Sequence, residues 1–205
     1  MLLKRTTIPN GLQGAFEKKR TLPMSNYHRN FAPGACYFFT QVTYHREPWL
    51  CEASTRVTLR EAIVHVRRKH PFTIEAWVLL PDHLHCLWRL PERDSDYSTR
   101  WSLIKSWVTN HMRPSLLLAP QATSRTKRGE KSLWQRRFWE HTIRNDQDYR
   151  AHCDYIHFNP VKHSFCQAPK DWLYSSFHRF VKEGRYEVDW GSQSIPVGID
   201  IVGGE

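Results

Sequence analysis

The chain has 205 residues, which suits one domain with a sizeable hydrophobic core. Its 30 lysines and arginines outnumber its 20 aspartates and glutamates, and the formal charge of +10 favours a nucleic acid partner. An anionic membrane surface, or no polyanionic partner at all, are the alternatives. No apolar run approaches the roughly 20 residues of a membrane span. The five cysteines form no C-x-x-C pair, which argues against a disulfide framework and predicts a cytoplasmic protein.

The predicted elements alternate between two periodicities. Segments rich in aromatic and β-branched residues predict strands, and these cover residues 36–44, 72–80, 83–90 and 136–143. Apolar residues at helical spacing predict helices, and these cover residues 54–69, 98–111, 146–158 and 171–182. Ser54 or Thr58 is the predicted N-cap of the first helix, and Asn145 that of the third. Pro160 is expected to end the third helix.

The resulting order is β-α-β-β-α-β, followed by further helices. It predicts an α+β fold with a ferredoxin-like antiparallel sheet and an added C-terminal helix. Residues 1–23 contain scattered glycines and basic residues and are expected to form a disordered or loosely attached leader. The folded domain is predicted to span residues 24–190, with a polar, basic loop at 119–132. Residues 191–205 show no clear periodicity and are expected to form a flexible tail.

The segment His83-Leu84-His85 lies in a predicted strand. Residues two apart in a strand point to the same face, so both imidazoles project together. Leu84, Cys86 and Trp88 point to the opposite face, which is apolar. Such a strand can hold two nitrogen ligands toward a metal while its other face packs in the core. A pair of solvent-facing histidines on an edge strand is the alternative, because the same spacing would produce it.

A second polar pair, Tyr155 and Asn159, lies in a predicted helix. Residues four apart share a helix face, so the two side chains stand one turn apart. The amide oxygen is a plausible third metal ligand, and the hydroxyl could reach a cleft. A tyrosine at the boundary of the core is the alternative. Because Pro160 disfavours the helical conformation before it, the Asn159 side chain is expected to aim somewhat off the ideal direction.

Five segments of the chain resemble the REP-associated tyrosine transposases, a branch of the single-tyrosine HUH transposases of the IS200/IS605 type. They follow one another in the same order as in that family: SNYHR (25–29), AWVLLPDHLHCLW (76–88), RFWEHTIRN (137–145), DYIHFNPVKH (154–163) and DWLYSSFH (171–178). The resemblance implies an HUH tyrosine transposase domain in which Tyr155, on the added helix, is the nucleophile. It also implies a divalent cation, Mg²⁺ or Mn²⁺, bound by His83, His85 and Asn159.

The same resemblance implies a reaction and a substrate. The Tyr155 hydroxyl attacks the DNA backbone, forms a 5′-phosphotyrosine and later gives the strand up to a 3′-hydroxyl. The expected substrate is single-stranded or hairpin DNA formed by a repeated extragenic palindrome. Basic side chains in or beside the matching segments are expected to contact phosphates, or else to be ordinary solvated charges. They are Arg137, Arg144, Lys162 and Arg179.

Two other functions are compatible with this pattern. One is a non-catalytic regulator that keeps the fold and binds hairpin DNA. The other is an RNA-binding module, for which ribose and deoxyribose hairpins would bind equally well. We expect a monomer, with a dimer that shares its active sites as the alternative.

Overall fold

The computed structural model describes residues 30–112 and 133–196, and within them it contains four strands and four α-helices. Among these residues, no helix combines the length and apolarity that a membrane span requires. The predicted leader at 1–23, the basic loop at 119–132 and the end of the predicted tail lie outside the described residues. The domain boundaries at residues 24 and 190 therefore stay predictions.

The strands and helices follow one another in the predicted order. The strands are β1 (Cys36–Val42), β2 (Thr73–Leu79), β3 (His83–Arg89) and β4 (Trp139–Thr142). The helices are α1 (Ala53–Lys69), α2 (Tyr97–His111), α3 (Asp146–Lys162) and α4 (Phe177–Lys182). Two short 3-10 helices add Tyr44–Arg46 and Pro169–Asp171.

The four strands form one antiparallel sheet in the order β2-β3-β1-β4. In this arrangement β3 pairs with both β1 and β2, so it lies inside the sheet and not at its edge. The order is the one expected for a ferredoxin-like β-α-β-β-α-β chain. The predicted α+β fold is therefore confirmed.

Both faces of the sheet are covered, which explains why β1 and β3 are buried almost throughout. Tyr37 and Phe39 share one hydrophobic core with residues of α1 and α2. Phe38, between them, points to the other face and shares a second core with Ile156 of α3. Because side chains alternate along a strand, His83 and His85 lie on this second face, toward α3.

The prediction that Pro160 ends helix α3 is wrong, because the helix continues to Lys162. Proline removes only the one hydrogen bond that its own N–H would have donated. The following turn still closes, because the N–H of His163 donates to the carbonyl of Asn159 at 3.0 Å. Phe158 and Pro160 are buried, so tertiary packing offsets the lost bond. Tyr155 and Asn159 are consequently held one regular turn apart.

The helix predicted over residues 171–182 is wrong in its first half. Residues 172–176, here called the C-terminal strap, are not helical and run along the edge of β2, with an isolated antiparallel bridge between Ser175 and Val78. The N–H of Leu79 donates to Tyr174 at 2.8 Å, and the N–H of Ser176 donates to Trp77 at 2.8 Å. Pairing with the open edge of β2 satisfies backbone groups of the strap. Local helical periodicity cannot reveal such a long-range pairing. Only Phe177–Lys182 is helical.

The helix starts differ in how well their caps were predicted. Asn145 caps α3 as expected, since its side-chain oxygen accepts a 2.9 Å bond from the N–H of Asp148. Helix α1 begins after Glu52, earlier than Thr58 would allow. The Thr58 hydroxyl instead donates to the carbonyl of Ser54 at 3.0 Å, inside the helix. A hydroxyl that bonds back to its own helix cannot cap it.

Candidate active site

The two histidines of β3 lie side by side in the interior between the sheet and α3. His83 is 1 % exposed and His85 is 0 % exposed. Their ring centroids are 4.9 Å apart. The alternative of solvent-facing histidines on an edge strand is therefore wrong, because β3 is an inner strand and its second face is covered.

Each of these imidazoles has one ring nitrogen engaged by a neighbouring residue. Nδ1 of His83 donates to the carboxylate of Asp82 at 2.6 Å. Nδ1 of His85 is hydrogen-bonded at 2.9 Å to the hydroxyl of Thr40, its register partner on β1. Such outer contacts orient a metal-binding imidazole and fix its tautomer. A metal bound by these rings would accordingly be bound through Nε2.

The carboxylate of Asp82 is ionised, as this arrangement requires. Partial burial raises the pKa of Asp82, but the hydrogen bond and charge of His83, together with those of Arg46, outweigh burial and lower that pKa to about 2. Arg46 reaches the other carboxylate oxygen at 2.9 Å. The tight turn between β2 and β3 thus holds a negative charge directly behind His83.

Helix α3 brings Tyr155 against the histidine pair, and Asn159 stands one turn further along the same helix. Tyr155 is 1 % exposed and Asn159 is 0 % exposed. The Tyr155 ring lies edge-on to the His85 ring, with centroids 5.1 Å apart. The ring of Phe38 on β1 contacts both, with its centroid 5.8 Å from that of Tyr155 and 5.5 Å from that of His85. The paired histidines of β3 and the tyrosine of α3, far apart in sequence, therefore meet between the two elements.

The donor set suits a divalent cation. Two imidazole nitrogens and an amide oxygen are acceptable ligands for Mn²⁺, and Mg²⁺ accepts oxygen ligands with water completing its shell. His83, His85 and Asn159 would supply the three protein ligands and leave positions for a phosphate oxygen. A structural zinc site would instead use four protein ligands. The residues therefore fit an ion that works on a substrate.

Two further side chains border the site. The sequence did not predict that either of them lies there. Lys162 places its Nζ 4.8 Å from the centroid of the Tyr155 ring. The ring of His163 lies 5.0 Å from that of His83. Both residues belong to the segment DYIHFNPVKH, and the helical repeat, which puts Lys162 two turns beyond Tyr155, is a signal that could have placed it there.

The other predicted phosphate-contacting residues do not converge on Tyr155. Arg144 pairs with Asp148 at 2.9 Å. Arg179 donates to the backbone carbonyl of Glu75. Arg137 is exposed in the segment just before β4. Their proposed contacts with DNA remain predictions, and only Lys162 of the four lies at the nucleophile.

A second polar group lies at the start of α3 and was not anticipated. Ligand atoms of His141, Asp148 and His152 all lie within 4.8 Å of one another. His141 stands on β4, and the other two residues stand one turn apart on α3. This spacing would also suit a metal, so the hydrogen bonds of the group decide its role.

The fold and the site together define a class of protein. The sheet is ferredoxin-like, two histidines lie on an inner strand, and a tyrosine lies on the covering helix. The model of the family described as "Transposase IS200 like" matches residues 34–159. That match covers more than half of the chain, and the protein therefore belongs to the IS200-like transposases, which nick and join DNA strands. The family is generally metal-dependent.

Within this family the chain is similar to REP-associated tyrosine transposases. It is 44 % identical over 167 residues to the one from Escherichia coli K12, covering 82 % of this chain and 91 % of the relative. A Haemophilus influenzae protein provisionally given the same name is 43 % identical over 169 residues, covering 82 % and 94 %. A solved REP-associated tyrosine transposase bound to a REP hairpin is 43 % identical, with a TM-score of 0.69 over 84 % of this chain and 94 % of that one.

Proposed function

We propose that Tyr155 cleaves and rejoins single-stranded DNA beside a REP-type hairpin, with His83, His85 and Asn159 holding a divalent cation. The observation that carries this proposal is the meeting of nucleophile and metal pair in one chain, with the Tyr155 and His85 ring centroids 5.1 Å apart. The hairpin enters the proposal from the solved relative, which is bound to one. A cytoplasmic location and a monomeric state belong to the same proposal.

The reaction is a transesterification and needs no external energy source. The Tyr155 oxygen forms a bond to phosphorus, and the bond from phosphorus to the 3′-oxygen breaks, releasing a 3′-hydroxyl. Rejoining reverses these changes, with a 3′-hydroxyl attacking and the phenolate leaving. When bound, Mg²⁺ or Mn²⁺ supplies positive charge at the scissile phosphate.

The attacking phenol must lose its proton, although the pKa of a free tyrosine is near 10. The ammonium group of Lys162, 4.8 Å from the ring centroid, favours the phenolate through its charge. It stabilises the same phenolate when tyrosine is the leaving group. Lys162 therefore acts on the nucleophile itself in addition to any contact that it makes with a phosphate.

The decisive experiment is covalent trapping. Hairpin DNA with a single-stranded flank is incubated with the protein and Mn²⁺, and the protein–DNA adduct is separated by denaturing electrophoresis. We expect an adduct for the wild type and for Tyr149→Phe, because Tyr149 lies on the same helix but bonds to Glu75 and not to the site. Tyr155→Phe should form none.

Three results would contradict the proposal. An adduct that survives Tyr155→Phe would place the nucleophile elsewhere. Hairpin binding by the wild type with no adduct in either metal would identify a non-catalytic regulator. Equal binding of ribose and deoxyribose hairpins without an adduct would identify an RNA-binding module.

A further inference from the structure

The buried carboxylate of Asp148 is the centre of a partly exposed cluster at the start of α3, outside the group around Tyr155. Oδ2 accepts a 2.9 Å bond from His141 Nε2. It also accepts bonds from the backbone N–H of Arg144 at 3.0 Å and from the Arg144 guanidinium at 2.9 Å. Oδ1 lies 3.2 Å from Nδ1 of His152. One side chain of α3 thus joins β4, the loop after it and the next helical turn.

These contacts describe a hydrogen-bonded clamp and not a metal site. The nitrogens of His141 and His152 that are nearest to Asp148 both face acceptors. Nε2 of His141 faces the Asp148 carboxylate, and Nδ1 of His152 also donates to the backbone carbonyl of Asp148 at 2.8 Å. A ring nitrogen that carries a proton cannot bind a metal. The guanidinium of Arg144 already supplies the positive charge that the carboxylate needs.

The protonation of the two buried groups agrees with this description. Burial raises the pKa of Asp148, but hydrogen bonds from Arg144 and His141 outweigh it and hold that pKa well below its usual range. Burial lowers the pKa of His152, despite the bond to the Asp148 carbonyl. The cluster therefore contains an ionised carboxylate that accepts hydrogen bonds beside a neutral imidazole that donates one.

The clamp is connected to the nucleophile through packed rings. His152 stands three residues before Tyr155, on the same face of α3. Its ring lies 4.8 Å from that of Phe38, and the Phe38 ring in turn packs against both Tyr155 and His85. The His141 ring stacks on the other side of His152 at 4.7 Å. A rotation of α3 about its axis would break these contacts and move the Tyr155 hydroxyl.

Resting on the function proposed above, we infer that Asp148 is a positioning residue: by clamping α3 to β4 through His141 and His152, it sets where the Tyr155 hydroxyl stands relative to His83 and His85. A displacement of a nucleophile by about 1 Å can cost roughly a hundredfold in rate. Loss of the clamp should therefore slow attack while leaving the surfaces that bind DNA in place.

The first test compares Asp148→Asn with Asp146→Asn. Both substitutions remove one negative charge from the first turn of α3, but Asp146 is exposed. At saturating hairpin DNA and Mn²⁺, we expect Asp148→Asn to slow adduct formation by at least about tenfold. Its hairpin affinity should stay within about twofold, and Asp146→Asn should match the wild type in both measurements. All rates are measured where circular dichroism shows each variant to be folded.

The second test uses His141, which can be replaced with or without a donor. His141→Gln keeps an N–H that can reach Asp148, whereas His141→Phe keeps the ring stack and removes the donor. We expect the glutamine variant to retain most of the adduct rate and the phenylalanine variant to lose it. Equal rates in the two variants would show that stacking, and not the hydrogen bond, holds the helix.

Three outcomes would overturn the inference. An Asp148→Asn variant with the wild-type adduct rate would do so directly. A loss of hairpin affinity equal to the loss of rate would assign Asp148 to DNA binding. Stoichiometric metal in the purified wild type that disappears in Asp148→Asn would make the cluster a metal site.

The proposed function can fail separately. If the wild type forms no adduct, amide hydrogen exchange still tests the clamp. Faster exchange of the amides at 149–155 in Asp148→Asn than in Asp146→Asn would support it, and equal exchange would refute it.

Discussion

Hydrogen bonds decide how each histidine near Tyr155 presents its ring. Asp82 is hydrogen-bonded to Nδ1 of His83, and Thr40 to Nδ1 of His85, so both rings point Nε2 into the site. Asp148 takes Nδ1 of His152, so that ring serves as a fixed wall for Phe38. One residue type therefore fills two roles within a single layer, and the neighbouring acceptor determines which.

At the residue scale, the strongest prediction concerns Lys162. Lys162→Met removes the charge beside the Tyr155 ring and keeps the aliphatic stem, so the adduct rate at saturating DNA should fall about a hundredfold. Lys162→Arg should retain a large part of that rate because the positive charge remains. Lys182→Met, which removes an equal charge from the exposed end of α4, is the control and should behave as the wild type.

One result would contradict an action of Lys162 on the Tyr155 phenolate. If Lys162→Met weakens hairpin binding but leaves the saturated rate unchanged, the lysine contacts phosphate and does not act on the phenolate.

Among the elements, the C-terminal strap holds α3 against the edge of β2. The Ser176 hydroxyl accepts a 2.8 Å bond from the N–H of Trp77 and is joined at 2.8 Å to Nε2 of His157. His157 lies between Tyr155 and Asn159 in the sequence and is buried. Its ring packs on the other side of the helix, against Phe180 and Tyr186. Burial, aided by the charges of Arg185 and Arg179, lowers the pKa of His157 to about 3, so its ring is neutral.

Removing the Ser176 hydroxyl should therefore weaken the whole domain. We expect Ser176→Ala to lower the free energy of unfolding by about 1 to 3 kcal/mol, because it leaves buried groups of two other elements without that bond. Ser102→Ala, at an exposed position of α2, should change it by less than about 0.5 kcal/mol. Urea denaturation of both variants measures the difference. Equal stabilities would show that the strap is held by its backbone bonds alone.

At the scale of the whole molecule, every residue proposed for the site comes from one chain. The sheet supplies His83 and His85, α3 supplies Tyr155 and Asn159, and the two are joined by the packed rings around Phe38. This arrangement supports catalysis by a monomer, because no second copy is required to bring the nucleophile to the metal ligands.

A mixing experiment tests that arrangement. Tyr155→Phe and His85→Ala should each be inactive, and an equimolar mixture should stay inactive if every site is built within one chain. Adduct formation restored by mixing would show that α3 or its tyrosine is shared between copies. Sedimentation at micromolar concentration should give a monomer in the first case and a dimer in the second.

Local periodicity paired the candidate residues of the site, and the resemblance to a known family assigned their roles. Alternation along a strand places His83 and His85 on one face, and the helical repeat places Tyr155 and Asn159 on another, whatever surrounds them. Five ordered segments resembling a known family then pointed to one activity, and the family match confirms it. The sequence by itself therefore determined the element order, the paired faces and the class of enzyme.

Only the tertiary structure decided which elements meet. The position of β3 inside the sheet, the pairing of Thr40 with His85 and the clamp of Asp148 on His141 each join residues of different elements. The helical path through Pro160 and the non-helical strap at 172–176 override local preferences for the same reason. Long-range backbone pairing and burial contribute more free energy than the local tendencies that sequence patterns report.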